Sequence, residues 1–291
     1  MLSMELRGVT KQYKQKKAVD DFSLKLEEGV YGLLGANGAG KTTLLRMLCN
    51  ILKPTSGIVL CNGMEIDEMD GEYRRILGYL PQQFGYYPNM TAERYLRYLA
   101  ELKAVPPGLI DSKIEELLEL VELSEMRKKK IKTFSGGMIR RLGIAQAMLN
   151  DPEILILDEP TAGLDPKERI RFRNLISGFS KNRIVLLSTH IVSDVEYIAD
   201  RILLMKQGKL IGQGNLEEIV EQVEGHVWTC MVDAQTAEEY NRKYAVSNLK
   251  NQGEKVELRI VASQKPVEDA VSVEPGLEDV YLYYFEQETE E

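Results

Sequence analysis

The segment GANGAGKTT, Gly35 to Thr43, follows the apolar run Val30 to Leu34 and opens an expected helix over Thr42 to Leu52. It fits the pattern GxxxxGK[ST], and its place between a strand and a helix constrains the fold more than any other stretch of the chain. Small glycines let successive backbone N–H groups face one phosphate, and the helix N-terminus adds its dipole. Lys41 brings a point charge, and Thr42 a hydroxyl able to ligate Mg2+. The rival explanation is a tight turn that needs glycine for shape alone; the flanking strand and helix argue against it. The loop by itself leaves kinases, GTPases and many ATPases open, because all share this cradle.

Two more runs, Ile154 to Leu157 and Ile184 to Leu187, are short, continuous and aliphatic, the pattern of parallel strands buried on both faces. In open α/β sheets ligands gather beyond the carboxyl ends of such strands, which brings Gly35, Asp158 and His190 toward one crevice. Between the strands, Thr91 to Leu102 and Asp111 to Leu123 carry apolar residues at helical spacing, separated by Pro106, Pro107 and Gly108. Ser112 with Glu115 offers a capping box there. This stretch interrupts the strand and helix alternation and predicts an inserted helical subdomain over about 88–150. Arg201 to Gly214 reads as a hairpin turning at Gln207 and Gly208.

Residues 1–215 thus form one large unit, 216–224 a linker, and 225–291 a small α+β domain. In the last, Val227 to Val232 and Val256 to Val261 alternate around a helical segment near Ala237 to Tyr244, and the acidic tail Glu286 to Glu291 closes the chain.

The sequence ILILDEP delivers Asp158 and Glu159 together at a strand end. Asp158 is suited to hold Mg2+ and Glu159 to polarise an attacking water. FSGGM, Phe134 to Met138, precedes the helical run Ile139 to Leu149 and makes a second anion site from Ser135, Gly136 and Gly137.

The phosphate loop, FSGGM, ILILDEP, TAGLDP and LSTH stand in the order and spacing of the ATP-binding subunits of ABC transporters, which the chain resembles from about Met4 to Gly214. The resemblance implies an α/β fold, a P-loop NTPase with a RecA-like core, an antiparallel β subdomain and an inserted helical subdomain, plus the C-terminal α+β domain. It implies that Gly35, Ala36, Asn37, Gly38, Ala39, Gly40, Lys41, Thr42 and Thr43 surround the phosphates of ATP and that two copies pair head to tail. Each ATP then lies between one copy's loop and the other's SGG segment. Tyr13 resembles the aromatic that stacks on adenine, Gln82 of GYLPQ the glutamine linking Mg2+ and water to the helical subdomain, Asp165 a residue communicating across the dimer, and His190 the switch histidine at the γ-phosphate. Gln83 is the rival of Gln82. Met138 stands where the family usually has Gln, which implies a weaker ribose contact. SGGM followed by Arg140 and Arg141, with LEDVYLYY at Leu277 to Tyr284, is similar to motor subunits of type-two exporters, whose integral-membrane permease is a separate polypeptide.

Other features exclude competing classes. A net charge of -8 argues against a dedicated nucleic-acid binder, and the basic run Arg127 to Lys130 is expected to be a solvated face. Cys49, Cys61 and Cys230 form no CxxC pair and suit buried thiols. With no apolar run of about 18 residues, the chain is expected neither to span a membrane nor to leave the cytoplasm by itself, and to sit on the cytoplasmic face of the cell membrane through its permease. The alternative of a soluble ABC ATPase acting on ribosomes or DNA calls for tandem cassettes, coiled-coil insertions or zinc modules, which the sequence lacks. A regulatory module that binds ATP without hydrolysis is disfavoured by the intact Lys41, Asp158, Glu159 and His190.

Overall fold

The computed structural model describes residues 2–285, so the expected acidic tail lies outside the described residues. Strands β1 (Ser3–Tyr13) and β2 (Lys16–Glu27) alternate, burying Met4, Leu6, Phe22, Leu24 and Leu26 and turning residues such as Lys25 to water. β3 (Gly29–Leu34) and α1 (Lys41–Leu48) come next. β4 (Ser56–Cys61) and β5 (Met64–Glu65) then complete an antiparallel sheet in the order β2-β1-β4-β5. The helix after the phosphate loop is shorter than the expected run to Leu52, because Asn50 takes a left-handed φ of 53° and the N–H groups of Ile51 and Leu52 fold back onto the Arg46 carbonyl.

Short helices α2 (Ile66–Met69) and α3 (Gly71–Ile76) lead to β6 (Leu77–Leu80), after which the chain leaves the sheet. It forms α4 (Ala92–Leu102), α5 (Ile110–Leu120) and α6 (Gly136–Ala147) before returning as β7 (Ile154–Asp158). The expected capping box at Ser112 is absent. A 3-10 turn over Pro107–Leu109 starts α5 at Ile110, three residues ahead of a helix capped by Ser112, so Ser112 lies inside the first turn and its hydroxyl donates to the Leu109 carbonyl at 3.0 Å. Asn150 joins insertion and sheet. Its amide donates to the carbonyls of Arg75 and Leu77 next to β6, and its oxygen accepts from Lys103 at the end of α4 at 2.6 Å.

Helix α7 (Pro166–Ser177), β8 (Ile184–Thr189), α8 (Val192–Ile198), β9 (Arg201–Lys206) and β10 (Lys209–Gly214) follow. The second sheet runs β10-β9-β3-β8-β7-β6, parallel except for β10. Along β7, Ile154 and Ile156 enter one core with Phe22, Leu45 and Leu186, while Leu155 and Leu157 enter another with Tyr95, Leu117 and Leu142. Burial on both faces explains the unbroken aliphatic run, each side chain contributing about 1.5–3 kcal/mol.

Residues 216–224, expected as a linker, carry α9 (Leu216–Glu221), with Asn215 and Glu218 forming a capping box and Ile219 and Val223 fully buried. β11 (Val227–Val232), α10 (Ala234–Lys243), β12 (Ala245–Gln252), β13 (Lys255–Val261) and β14 (Val271–Ser272) build a third, antiparallel sheet ordered β12-β13-β11-β14. Its small core contains Cys230, Ala237, Leu258 and Ile260. α11 (Leu277–Phe285) returns to the large unit, packing Leu277 and Val280 against Val195, Ile219 and Val223. Among the described residues no helix is long and apolar enough to cross a membrane.

Candidate functional site

The three strands whose ends were expected to converge lie side by side in the order β3-β8-β7, so their C-terminal ends open on one crevice. The phosphate loop spans the turn from β3 to α1. Gly40 caps that helix at φ 108°, and a Cβ there would sit 2.1 Å from the Ala18 carbonyl oxygen. A Cβ on Gly35 would meet the Met205 carbonyl at 2.4 Å. These close approaches hold the loop against β2 and β9. The Gln207 and Gly208 turn, with φ of 49° and 82°, completes the clamp: Gly208 N–H donates to the Ala39 carbonyl at 2.8 Å. Gly40→Ala is therefore expected to lower stability by about 1–3 kcal/mol, read as a fall in Tm. An unchanged melting curve would count against the clamp.

Lys41 is buried, donates from Nζ to the Gly35 carbonyl at 2.6 Å, and lies 3.7 Å from Glu159 Oε1. Burial lowers its pKa, and the charges of Glu159 and Asp158 oppose that shift. Asp158 is buried too. Its Oδ1 accepts from Ser188 Oγ at 2.7 Å and Thr42 Oγ1 at 3.2 Å, while its Oδ2 has no hydrogen-bond partner. A buried, unsatisfied carboxylate oxygen beside a threonine hydroxyl is a donor set that fits a hard, oxygen-preferring cation.

Glu159 leaves β7 in a left-handed conformation, φ 49°, with its N–H donating to Ser188 Oγ at 3.1 Å. Its Oε2 lies 2.9 Å from His190 Nδ1, and the histidine is 43% exposed whereas the glutamate is 6% exposed. The carboxylate is thus screened from bulk water but shares its crevice with an accessible imidazole. Ser188, which grips both acidic residues from the neighbouring strand, was not singled out in the sequence; its only signal was its position in LSTH.

Thr42 thus meets Asp158, and the adjacent Glu159 meets both Lys41 and His190, with Gly35 and Ala36 accepting from Lys41; Tyr13, Gln82, Ser135, Gly136, Gly137 and Asp165 make no hydrogen bond or ion pair with these groups among the described residues. Tyr13 ends β1, half exposed, with Lys11 Nζ 5.7 Å from its ring centre. Gln82 and Gln83 are both exposed beyond β6. Ser135 caps α6 and accepts from Met138 N–H at 3.2 Å, leaving Ser135 and Gly136 exposed. The Met138 side chain packs on the core of the helical insertion. Gly137 is buried, and a Cβ there would meet Glu168 Oε2 at 2.7 Å. Asp165 caps α7, accepting from Glu168 N–H at 3.0 Å. Arg141, read as a branch signature, is buried and binds Glu168 Oε2 at 3.2 Å and the Val121 carbonyl at 2.8 Å. It pins the SGG helix to α5 and α7.

Comparison with known proteins agrees with this geometry. The ABC transporter family model matches residues 19–162. The ABC transporter ATP-binding protein YxlF of Bacillus subtilis is 40% identical over 80% of this chain and 77% of its own length. The bacitracin transport ATP-binding protein BcrA of Bacillus licheniformis is 40% identical over 70% of this chain and 66% of its own. Among solved structures, the dimeric post-hydrolysis state of the ATP-binding cassette MJ0796, bound to ADP and Pi, superposes with a TM-score of 0.65 at 27% identity, covering 73% of this chain and 98% of that one. A cradle for a nucleotide's phosphates, a shielded carboxylate beside it and these relatives lead to one assignment: the chain belongs to the ABC transporter ATP-binding proteins, the ATP-hydrolysing subunits of those transporters.

Proposed function

We propose that the chain works as a head-to-tail dimer that hydrolyses ATP with Mg2+ at two composite sites and drives a separate integral-membrane permease in export. The observation carrying this reading is the contact set of Lys41, Thr42, Asp158, Glu159 and His190 at the ends of three adjacent strands. Backbone N–H groups of Gly35 to Thr43 and the Lys41 ammonium bind the phosphates. Thr42, Gln82 and Asp158 would hold Mg2+, which supplies charge neutralisation on the β- and γ-phosphate oxygens. Glu159 orients the attacking water and takes its proton, while His190 contacts the γ-phosphate side of the crevice.

Tyr13 is exposed enough to stack on adenine. The exposure of Ser135 and Gly136 away from the chain's own cluster suits donation to a partner copy's nucleotide, with Asp165 facing the same junction. The dimeric state of the MJ0796 cassette supports pairing, and likeness to a bacitracin transport protein and to the linearmycin resistance ATP-binding protein LnrL of Bacillus subtilis supports export. The place of action is then the cytoplasmic face of the membrane, and residues 225–285 serve as an accessory domain of the motor.

Tagged chain carrying Glu159→Gln, captured from solubilised membranes with ATP and Mg2+ present, is expected to elute as two copies bound to a multi-spanning protein. A lone monomer with ATP demonstrably bound, or ribosomal or DNA-bound material instead of a membrane protein, would overturn the proposal.

A further inference from the structure

Asp194 is fully buried on α8, one turn beyond His190, and is the hub of a network that joins three separate segments. The Thr161 hydroxyl donates to its Oδ2. Arg173, in the middle of α7, donates to its Oδ1 from Nε at 2.8 Å and approaches with Nη2 at 2.7 Å. Arg173 also donates to Ser193 Oγ at 2.9 Å and lies over the Tyr197 ring at 4.9 Å. A carboxylate removed from water is strongly unfavourable unless its charge and lone pairs are met, and here both are.

The two ends of this network fall beside the reacting groups. Thr161 is two residues past Glu159 and fully buried, in a tight turn where Ala162 N–H donates to the Glu159 carbonyl and Leu164 N–H to the Thr161 carbonyl. That turn carries Glu159 at φ 49°, a conformation unfavourable for a residue with a side chain and therefore dependent on its surroundings. At the other end, Asp194 N–H donates to the Ile191 carbonyl, closing the turn that presents His190. The 2.9 Å approach of Glu159 to His190 thus spans two backbone turns tied together behind it by one carboxylate.

We propose that Asp194 is a positioning residue for ATP hydrolysis: through Thr161 it holds the turn of Glu159 in register with the turn of His190. The inference rests on Glu159 acting as the base. Among the described residues none of the network's hydrogen bonds reaches the phosphate loop, so its effect is expected on turnover more than on nucleotide binding. Arg173 neutralises Asp194, which lets a buried anion serve as the tie without unfolding α8.

Because Asp194→Asn strands the Arg173 charge and threatens folding, the decisive variant is Thr161→Val, which keeps shape and removes only the hydroxyl. Its kcat for ATP is expected to fall by about 10–10²-fold, the usual consequence of misplacing a catalytic group by about an ångström. KM should stay within about 2-fold, since the phosphate loop keeps its own contacts. Thr161→Ser restores the donor and should return kcat to within about 2-fold of wild type. Wild-type kcat in Thr161→Val, or equal loss in both variants, overturns the proposal. Glu159→Gln assayed alongside separates the two ideas. If it is slow while Thr161→Val is not, only the positioning role fails; if it is not slow, the base assignment fails and this inference with it.

Discussion

Glu159→Gln is expected to slow ATP turnover by about 10²-fold or more while ATP stays bound, the scale of losing a general base. The substitution is nearly isosteric and, among side chains, amide-bearing ones tolerate a left-handed φ no worse than carboxylates, so the turn after β7 should persist. What disappears is the carboxylate proposed to accept the proton. The carboxylate is buried between Lys41 at 3.7 Å and His190 at 2.9 Å, and an amide there can orient water but not accept its proton. Single-turnover phosphate release, with nucleotide affinity measured in parallel, checks this. Turnover within a few-fold of wild type would remove Glu159 from the chemistry.

Lys41→Met is expected to lower kcat by about 10²–10³-fold, the range seen when a preorganised electrostatic group aimed at developing charge is lost. Here ATP affinity should fall as well, which distinguishes the variant from Glu159→Gln. Lys41 is the buried cation of the loop, held by the Gly35 carbonyl and facing Glu159, so its removal takes charge from the cradle and a partner from Glu159. Equilibrium binding of a fluorescent nucleotide together with steady-state rates gives both numbers. Unimpaired binding and turnover would show that the backbone N–H groups alone suffice.

Much of the site was legible because its information is local. A glycine loop between an aliphatic strand and a helix, two acids after ILIL and a histidine after a buried strand each announce themselves within a few residues, and parallel-sheet geometry brings them together. What escaped notice was held by long-range contacts. Ser188 joins Asp158 to Glu159 from a strand 30 residues away. Asp194 meets Thr161 across 33 residues, and nothing in STHIVSDVE marks it as more than a helix-start acid. β12 has the sequence AVSNLKNQ, whose second half is exposed, so no alternation betrays a strand defined by pairing with β13. The Ser112 capping box failed for the opposite reason: a local motif was present, but the proline turn before it had already started the helix.

The strands that send out and take back the helical insertion, β6 and β7, are neighbours at one edge of the sheet, and Asn150 ties the returning joint to the start of β6 and to the end of α4. Such an attachment behaves like a door hung on a single frame. Rotation of the insertion about that edge would leave Gln82, two residues past β6, near the axis and carry Ser135, at the start of α6, through a longer arc, while β3, β8 and β7 keep their registry. Force arriving from a membrane protein would then be felt as torque on two short crossings, and chemistry completed at the frame would be delivered outward as displacement.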